Sequence, residues 1–142
     1  MLDPSAPILI VDDFVTMRRI IRKALRQLGH TNTEEACDGR EALSKLKQAP
    51  FAFIVSDWNM PVMSGIELLR AVRADPCLRH IPFLMVTAEA TRENVSEAVE
   101  AGVSSYIVKP FAAETLRLKM ESIFPEDAAS EAAGAEVPAD QS

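Results

Sequence analysis

The sequence predicts an α/β protein, a doubly wound sandwich of five strands and five helices around a parallel sheet. Short apolar runs alternate five times with segments of helical spacing along the 142 residues. Strands that are separated by helices must run parallel, with right-handed crossovers. Three of the runs are continuously apolar rather than alternating, which is typical of strands that are covered on both faces.

The first unit is a strand and a helix within the first thirty residues. The β-branched run Ile8–Val11 favours a buried strand. Apolar residues then recur at helical spacing, and Gly29 is placed to end that helix. The apolar positions are Met17, Ile20, Ile21, Ala24, Leu25 and Leu28.

Two further units follow. Residues 31–36 give a weaker strand prediction, and residues 51–55 give a strongly apolar one. Asp38 is the expected N-cap of the second helix, and Ser64 with Gly65 opens the third. The apolar positions of these helices are Ala42, Leu43 and Leu46, then Ile66, Leu69 and Val72.

The last two units have the same form. Pro82 precedes a strand at 83–86, and Thr91 is the expected N-cap of a helix that ends at Gly102. Residues 106–108 form the fifth strand. The last two helices have apolar positions at Val95, Ala98 and Val99, then at Leu116, Met120, Ile123 and Phe124.

Composition points to one soluble domain, since 48% of the residues are hydrophobic and 25% are charged. Cys37 and Cys77 are too few for a disulfide framework, so we expect a reducing, cytoplasmic environment. His30 and His80 lack ligand-like spacing and are expected at the surface. No signal peptide or membrane-spanning run is present in the sequence, so membrane insertion is not expected.

Charge is unevenly distributed along the chain. The segment 125–142 carries five acids and no base, which leaves 16 acids and 15 bases in residues 1–124. Nucleic acid is therefore not an expected partner of this nearly neutral domain. The acidic segment shows no apolar periodicity, and we expect it to be a disordered tail. The basic residues of the first helix are interpreted as a solvated face: Arg18, Arg19, Arg22, Lys23 and Arg26.

Polar residues follow the predicted strands. Asp12 and Asp13 follow the first strand, Asp57 the third, Thr87 the fourth and Lys109 the fifth. Open α/β sheets place their sites at the carboxyl ends of the strands, so these side chains are expected to converge.

Converging carboxylates repel one another unless a proton or a cation neutralises them, and oxygen ligands with several waters suit Mg²⁺. Lys109 and the Thr87 hydroxyl can each hold a phosphoryl oxygen. The set therefore indicates a phosphoryl-acceptor site with an aspartate nucleophile.

Each residue also has a simpler interpretation. Asp12 and Asp13 could cap a helix, and Asp57 could belong to a turn. Thr87 could form a local hydroxyl turn, and Lys109 could be an ordinary surface lysine. To exclude a functional site, these simpler interpretations would all have to hold together at four strand ends. The coincidence that this requires favours a phosphoryl-acceptor site.

Four blocks of sequence carry a specific resemblance. They are Ile8–Asp13, Ser56–Pro61 with Gly65, Val86–Ala88 and Lys109–Phe111. Over about residues 5–124 the chain resembles bacterial response-regulator receiver domains, and especially the single-domain regulators of chemotaxis. The resemblance implies a flavodoxin-like sheet of strand order 2-1-3-4-5, with residues 1–124 as the receiver domain and 125–142 as an added tail.

The resemblance also implies roles for residues. Asp57 resembles the phosphoacceptor, and Thr87 and Lys109 resemble the residues that hold the phosphoryl oxygens. A Mg²⁺ ion would be bound by Asp13, Asp57 and the main-chain carbonyl of Asn59, with Asp12 acting through water. The family also implies a cis bond between Lys109 and Pro110. Ser64 departs from the aspartate that is usual before Gly65, yet serine also caps helices well.

The implied output is the binding of a partner. Tyr106 matches an aromatic residue that turns inward after phosphorylation, on a face with Ala90, Val95, Val99 and Lys119. The implied partners are a histidine kinase as phosphodonor, a flagellar motor switch protein and a phosphatase. The protein is then expected to be a monomeric regulator rather than an enzyme, catalysing only its own phosphorylation and dephosphorylation. Glu89, beside the site, resembles a position that modulates dephosphorylation, or is an exposed loop acid.

Three alternatives remain open at this point. A receiver that drains phosphate from a shared kinase, without binding the motor, would have the same site. A phosphatase of the haloacid-dehalogenase type would need a second acid two residues after its nucleophile, where this chain has Asn59. A flavodoxin-like cofactor carrier would need a phosphate-binding loop after the first strand, where this chain has Asp12, Asp13 and Phe14.

Overall fold

A computed structural model describes residues 2–125 of the chain. Five strands alternate with five helices, as the sequence predicts. The strands are β1 (Ile8–Val11), β2 (Thr33–Ala36), β3 (Phe53–Asp57), β4 (Phe83–Thr87) and β5 (Ser105–Val108). The helices are α1 (Val15–Gln27), α2 (Gly39–Gln48), α3 (Gly65–Ala74), α4 (Arg92–Ala101) and α5 (Ala113–Ile123).

The strands form one parallel sheet in the order β2-β1-β3-β4-β5, which confirms the predicted order. Two hydrophobic clusters cover its faces because alternate side chains of each strand point to opposite sides. On β1, for example, Leu9 belongs to the cluster under α2, α3 and α4, and Ile10 to the cluster under α1 and α5. The sheet is thus the middle layer of three.

Side-chain caps fix the starts of three helices. Asp38 accepts a hydrogen bond from the Glu41 amide at 2.8 Å. Ser64 and Glu67 form a reciprocal capping box at the start of α3, so the serine does serve as a cap at this position. Thr91 accepts from the Asn94 amide at 3.1 Å.

Arg73, in the last turn of α3, binds two loops at the edge of the sheet where the strands begin, opposite the edge that carries Asp57. Its guanidinium donates to the carbonyl of Gly102 at 2.8 Å and to that of Ile81 at 2.6 Å. Gly102 ends α4 with a φ of 96°, a left-handed conformation that suits glycine. The carboxyl end of α4 is therefore anchored to α3.

Several details differ from the sequence-based expectations; the second strand, for example, begins at Thr33 rather than at residue 31. The third strand begins two residues later than predicted and includes Asp57. Backbone hydrogen bonds hold the strands together, so a polar residue can belong to a strand. Ile20, placed on the apolar face of α1, is 48% exposed. His30, expected at the surface, is buried at 6% exposure, whereas His80 is exposed as predicted.

Within residues 2–125, no helix is long and apolar enough to span a membrane. The proposed acidic tail begins at Pro125, the last residue that the structure describes, so the expectation about residues 126–142 lies outside the described part of the chain.

Candidate functional site

The carboxyl ends of β1, β3 and β4 bring the predicted site residues to one edge of the sheet. The register pairs Val11 with Ser56 and Asp57 with Val86, so these three neighbouring strands end at a common level. Asp57 and Thr87 are the last residues of their strands rather than the first residues after them. Both are buried, at 3% and 6% exposure.

Asp57 forms an ion pair with Lys109. The Nζ atom of Lys109 lies 2.9 Å from Oδ1 of Asp57, and only 5% of the Asp57 side chain is exposed. Burial raises the pKa of the Asp57 carboxyl, and the hydrogen bond and charge of Lys109 oppose that rise. The Lys109–Pro110 bond is cis, as the resemblance implies.

Asp12 and Asp13 complete an acidic cluster with Asp57. One carboxylate oxygen from each of the three lies within 4.8 Å of the others. Oδ1 of Asp12 accepts a hydrogen bond from the Phe14 amide at 2.9 Å. Oδ2 of Asp12 and Oδ1 of Asp13 are buried and have no hydrogen-bond partner among the described residues.

Electrostatics makes this cluster unfavourable on its own. Burial raises the pKa of the Asp12 carboxyl to about 6, and the negative charges of Asp57 and Asp13 act in the same direction. The Phe14 amide and Lys109 oppose that rise. Two unpartnered buried oxygens beside a third carboxylate therefore fit a hard divalent cation such as Mg²⁺. Asn59, the other ligand implied by the resemblance, lies exposed in the loop after β3.

Gly65 lets the start of α3 pack directly against the end of β3. A Cβ atom at this position would lie 2.1 Å from the main-chain oxygen of Asp57 and 2.9 Å from Sδ of Met85. The Gly65 amide donates to the Trp58 carbonyl at 2.8 Å. Any side chain here would displace the backbone that holds the acidic residue.

The Thr87 hydroxyl is bonded within its own loop. It donates to the Glu89 carbonyl at 2.9 Å and accepts from the Glu89 amide at 3.2 Å. This is the local hydroxyl turn that the sequence left open as the simpler interpretation. Asn94 of α4 donates to the same Glu89 carbonyl at 3.3 Å, which links the loop to α4.

The predicted partner face lies beside this loop. Nζ of Lys119 lies 5.0 Å from the centre of the Tyr106 ring, a cation–π contact between α5 and β5. Tyr106 and Val95 are half-buried, whereas Ala90 and Val99 are exposed. Tyr106, Val95 and Thr87 line a cavity of only about 10 Å³, which has room for about one water molecule.

An ion pair that the sequence does not predict supports the acidic cluster. Arg18 donates to the main-chain oxygen of Asp12 at 2.6 Å and to Glu35 at 2.8 Å, and Arg22 also pairs with Glu35. The sequence predicts a solvated face for both arginines, but their side chains are only 16% and 40% exposed. Glu35 lies beside Ile10 in the β1–β2 register, and only that register could have revealed the pair.

Residues 8–121 match the family described as Response regulator receiver domain. The chain is 62% identical over 117 residues to Chemotaxis protein CheY of Pseudomonas aeruginosa, a match that spans 82% of this chain and 94% of that protein. It is 57% identical over 124 residues to Chemotaxis protein CheY-3 of Vibrio cholerae, spanning 87% and 95%.

A solved structure shows the same architecture. The crystal structure of chemotaxis protein CheY4 of Vibrio cholerae has a TM-score of 0.78 and 39% identity, and the match covers 84% of this chain and 98% of that one. The sandwich and its strand order are therefore those of CheY-like proteins.

Proposed function

Because the chain belongs to the response regulator receiver domain family, we propose that it is a stand-alone response regulator that is phosphorylated on Asp57 in the presence of Mg²⁺. A histidine kinase would supply the phosphoryl group. The output would be a partner-binding face that controls the flagellar motor in chemotaxis. A cytoplasmic location and a monomeric state belong to the same proposal.

The observation that carries this proposal is the ion pair between Asp57 and Lys109 beside unpartnered acidic oxygens. Asp57 is buried and paired with Lys109, while Asp12 and Asp13 each present to the same space an oxygen that has no hydrogen-bond partner within residues 2–125. A carboxylate, a lysine and a cation-binding set are the groups that transfer of a phosphoryl group to an aspartate requires.

The proposed transfer forms one bond and breaks one. A carboxylate oxygen of Asp57 attacks the phosphorus atom of a phosphohistidine, the phosphorus–nitrogen bond breaks, and its electron pair goes to the imidazole. The product is an acyl phosphate on Asp57. In the second step of the cycle, water attacks the phosphorus atom, the bond between phosphorus and the Asp57 oxygen breaks, and inorganic phosphate and the free carboxylate are formed. The protein thus acts only on itself, and a separate phosphatase could accelerate the second step.

Asp13, Asp57 and the Asn59 main-chain carbonyl would hold the Mg²⁺ ion, with Asp12 acting through water. When bound, the ion supplies positive charge that offsets the repulsion among the carboxylates and the incoming phosphoryl oxygens. Lys109 is free to move from the Asp57 carboxylate to a phosphoryl oxygen, because its long stem is only partly buried.

Thr87 would connect the phosphoryl group to the partner face. Its hydroxyl has a single proton, which in this structure is donated to the Glu89 carbonyl. Donation to a phosphoryl oxygen instead would break that bond and release the loop before α4. The cavity beside Tyr106 is too small for a phenol ring, so the ring can turn inward only after the loop has moved. Tyr106 would then leave Lys119, and the face would change shape.

The relatives support the assignment to chemotaxis. Proteins named as chemotaxis proteins are 57–62% identical to this chain over most of its length. A face made of Ala90, Val95, Val99, Tyr106 and Lys119 offers apolar surface, an aromatic ring and a charged rim, which suits a protein partner.

A labelling experiment tests the acceptor. The unmodified protein and two variants, Asp57→Asn and Asp75→Asn, are incubated with Mg²⁺ and a small acyl phosphate. Asp75 is the matched control because it lies at the carboxyl end of α3, away from the site. We expect Asp75→Asn to label like the unmodified protein and Asp57→Asn to lose labelling. Equal labelling of both variants would show that Asp57 is not the acceptor.

A binding experiment tests the output. Affinity for a purified flagellar motor switch protein is measured with and without a beryllium fluoride mimic of the phosphoryl group. We expect tighter binding with the mimic. Binding that ignores the mimic, in a protein that labels normally on Asp57, would favour a receiver that only drains phosphate from a shared kinase.

A further inference from the structure

Two members of the acidic cluster are neighbours in the chain, and the peptide bond between them has a side-chain partner. Asp12 continues the ladder beyond Val11, because its amide donates to the Ala36 carbonyl of β2 at 3.1 Å. Its main-chain oxygen, which belongs to the peptide that joins Asp12 to Asp13, accepts from Nη1 of Arg18 at 2.6 Å. The amide and the carbonyl of Asp12 are therefore held by different elements, β2 and α1.

The orientation of this peptide determines where the Asp13 side chain begins. A peptide unit is planar, so a bond that fixes its oxygen also constrains the next Cα atom, which here is that of Asp13. Oδ1 of Asp13 is buried and has no hydrogen-bond partner within residues 2–125. Since no hydrogen bond at that atom holds the carboxylate, its direction depends on the backbone that carries it.

Arg18 reaches this peptide from the first turns of α1. The N-cap residue of the helix, Phe14, makes no hydrogen bond from its side chain, so it does not brace the loop. Nε of Arg18 donates to Oε1 of Glu35 at 2.8 Å, and only 16% of the Arg18 side chain is exposed. The planar guanidinium thus donates from two nitrogen atoms at once, to Glu35 and to Asp12, and this fixes its orientation.

Glu35 is itself held in place by the sheet and by α2. It lies beside Ile10 in the β1–β2 register, and Nζ of Lys45 donates to its main-chain oxygen at 2.5 Å. Arg22, one turn further along α1, pairs with the other carboxylate oxygen of Glu35 and, among the described residues, has no bond to Asp12. The Glu35 carboxylate is therefore a fixed point that can orient an arginine of α1.

We propose that Arg18, oriented by Glu35, is a positioning residue that holds Asp13 in the direction in which it binds Mg²⁺. Mg²⁺ binding at the acidic cluster is part of the proposed function, on which this role of Arg18 rests. Contacts that orient the ligands of a metal ion commonly account for about 10–100-fold of its affinity. A ligand that is already held in place binds more tightly than a mobile one, because less conformational entropy is lost on binding.

The charge of Arg18 has the opposite effect on a cation. A guanidinium near the cluster repels Mg²⁺, so a neutral substitution would raise the affinity through charge while lowering it through position. Arg18→Lys separates the two effects. Lysine keeps the charge but lacks the planar fork that donates to two acceptors in fixed directions.

The test measures the affinity of the full chain for Mg²⁺ alone, without a phosphodonor. Dissociation constants come from the emission of Trp58 and from the NMR shift of the Asp13 amide. We expect Arg18→Lys to bind Mg²⁺ about tenfold more weakly than the unmodified protein. Arg22→Lys is the matched control, because it makes the same change on the same helix beside the same carboxylate partner. Its affinity should stay within about twofold of that of the unmodified protein.

A second variant tests the role of Glu35 and does not depend on whether Arg18→Lys folds. Glu35→Gln removes the charged acceptor that orients Arg18, so it should also weaken Mg²⁺ binding. The double variant should lose less affinity than the product of the two single losses, because both substitutions act through one contact.

The outcomes that would overturn the proposal differ from those that would overturn the proposed function. Equal Mg²⁺ affinity of Arg18→Lys and Arg22→Lys, whether both are unchanged or both are reduced, would overturn the role of Arg18 and leave the metal site intact. Unchanged affinity in Glu35→Gln would also overturn it. Failure of the unmodified protein to bind Mg²⁺ would overturn both the role of Arg18 and the metal site.

Discussion

The ammonium group of Lys109, at the end of β5, pairs with the carboxylate of Asp57, at the end of β3, with β4 lying between their two strands. The ion pair thus crosses the strand that ends at Thr87. Phosphorylation at Asp57 would act on β3, β4 and β5 at once through these three side chains.

Asp13→Ala should stabilise the metal-free protein, because it removes one of three mutually repelling carboxylates. We expect the melting temperature without metal to rise by about 2–5 °C, and the additional stabilisation by Mg²⁺ to disappear. Thermal melts with and without millimolar Mg²⁺ measure both effects. The control is Glu100→Ala, which changes an exposed acid on α4 and should alter neither. A lower melting temperature for Asp13→Ala would instead identify a structural role.

The stability of the metal-free protein should fall as the pH rises through the titration of Asp12. Its pKa is about 6 in the folded protein and near 4 in the unfolded chain, so folding favours the protonated form. The stabilisation that comes from the protonated Asp12 carboxyl is fully present below about pH 4 and is lost as the pH rises past about 6. The difference between these two pKa values corresponds to at most about 3 kcal/mol of unfolding free energy.

Urea unfolding at about pH 5 and about pH 7, without metal, measures this loss. Asp12→Asn keeps the acceptor for the Phe14 amide and removes the charge, so its unfolding free energy should change less between the two pH values. An equal or larger loss in Asp12→Asn would refute the assignment of the pH dependence to this residue.

Lys119→Ala and Tyr106→Ala should each weaken partner binding while leaving the labelling of Asp57 intact. Both side chains belong to the proposed face, and neither is among the residues that hold the phosphoryl group. We expect about a tenfold loss of affinity for the switch protein, which is typical of an aromatic or charged residue near the centre of an interface. Lys47→Ala, at the end of α2, is the matched control. If both variants bind like the unmodified protein, the output face lies elsewhere.

The acidic carboxyl-terminal segment should be dispensable for phosphorylation. A chain that ends at Pro125 should label at the same rate and melt within about 2 °C of the full chain, because residues 2–124 already form a hydrophobic cluster on each face of the sheet. Labelling kinetics and calorimetry compare the two chains. A large loss of stability would show that the segment packs on the domain.

The fold could be predicted because each unit carries its own signal. Apolar runs indicate strands, and apolar residues at helical spacing indicate helices. An apolar run predicts only that its residues are buried, however, and a loop that packs on the core is buried as well. Phe51 shows this limit, since it is buried at 6% exposure yet precedes the strand into which its apolar run was placed. The strand continues instead through Ser56 and Asp57, whose polar side chains gave no strand signal.

The convergence of the site residues could also be predicted, because the ends of parallel strands meet at one edge. What the sequence does not contain is the identity of the supporting contacts. The ion pairs of Arg18 and Arg22 with Glu35 depend on the register of β2. These contacts join segments that are far apart in the chain and have no local pattern.

The hydrogen bond from Arg73 fixes the carboxyl end of α4, so we expect any motion of this helix to be a rotation about that end. Its carboxyl end is held by the bond from Arg73 to the Gly102 carbonyl, whereas its amino end begins at the loop that Thr87 and Asn94 hold through Glu89. When that loop is released, we expect the amino end to swing and the carboxyl end to stay in place. A partner seated on α4 would then sense a change of tilt, largest near Arg92 and vanishing toward Ala101, rather than a shift of the whole helix.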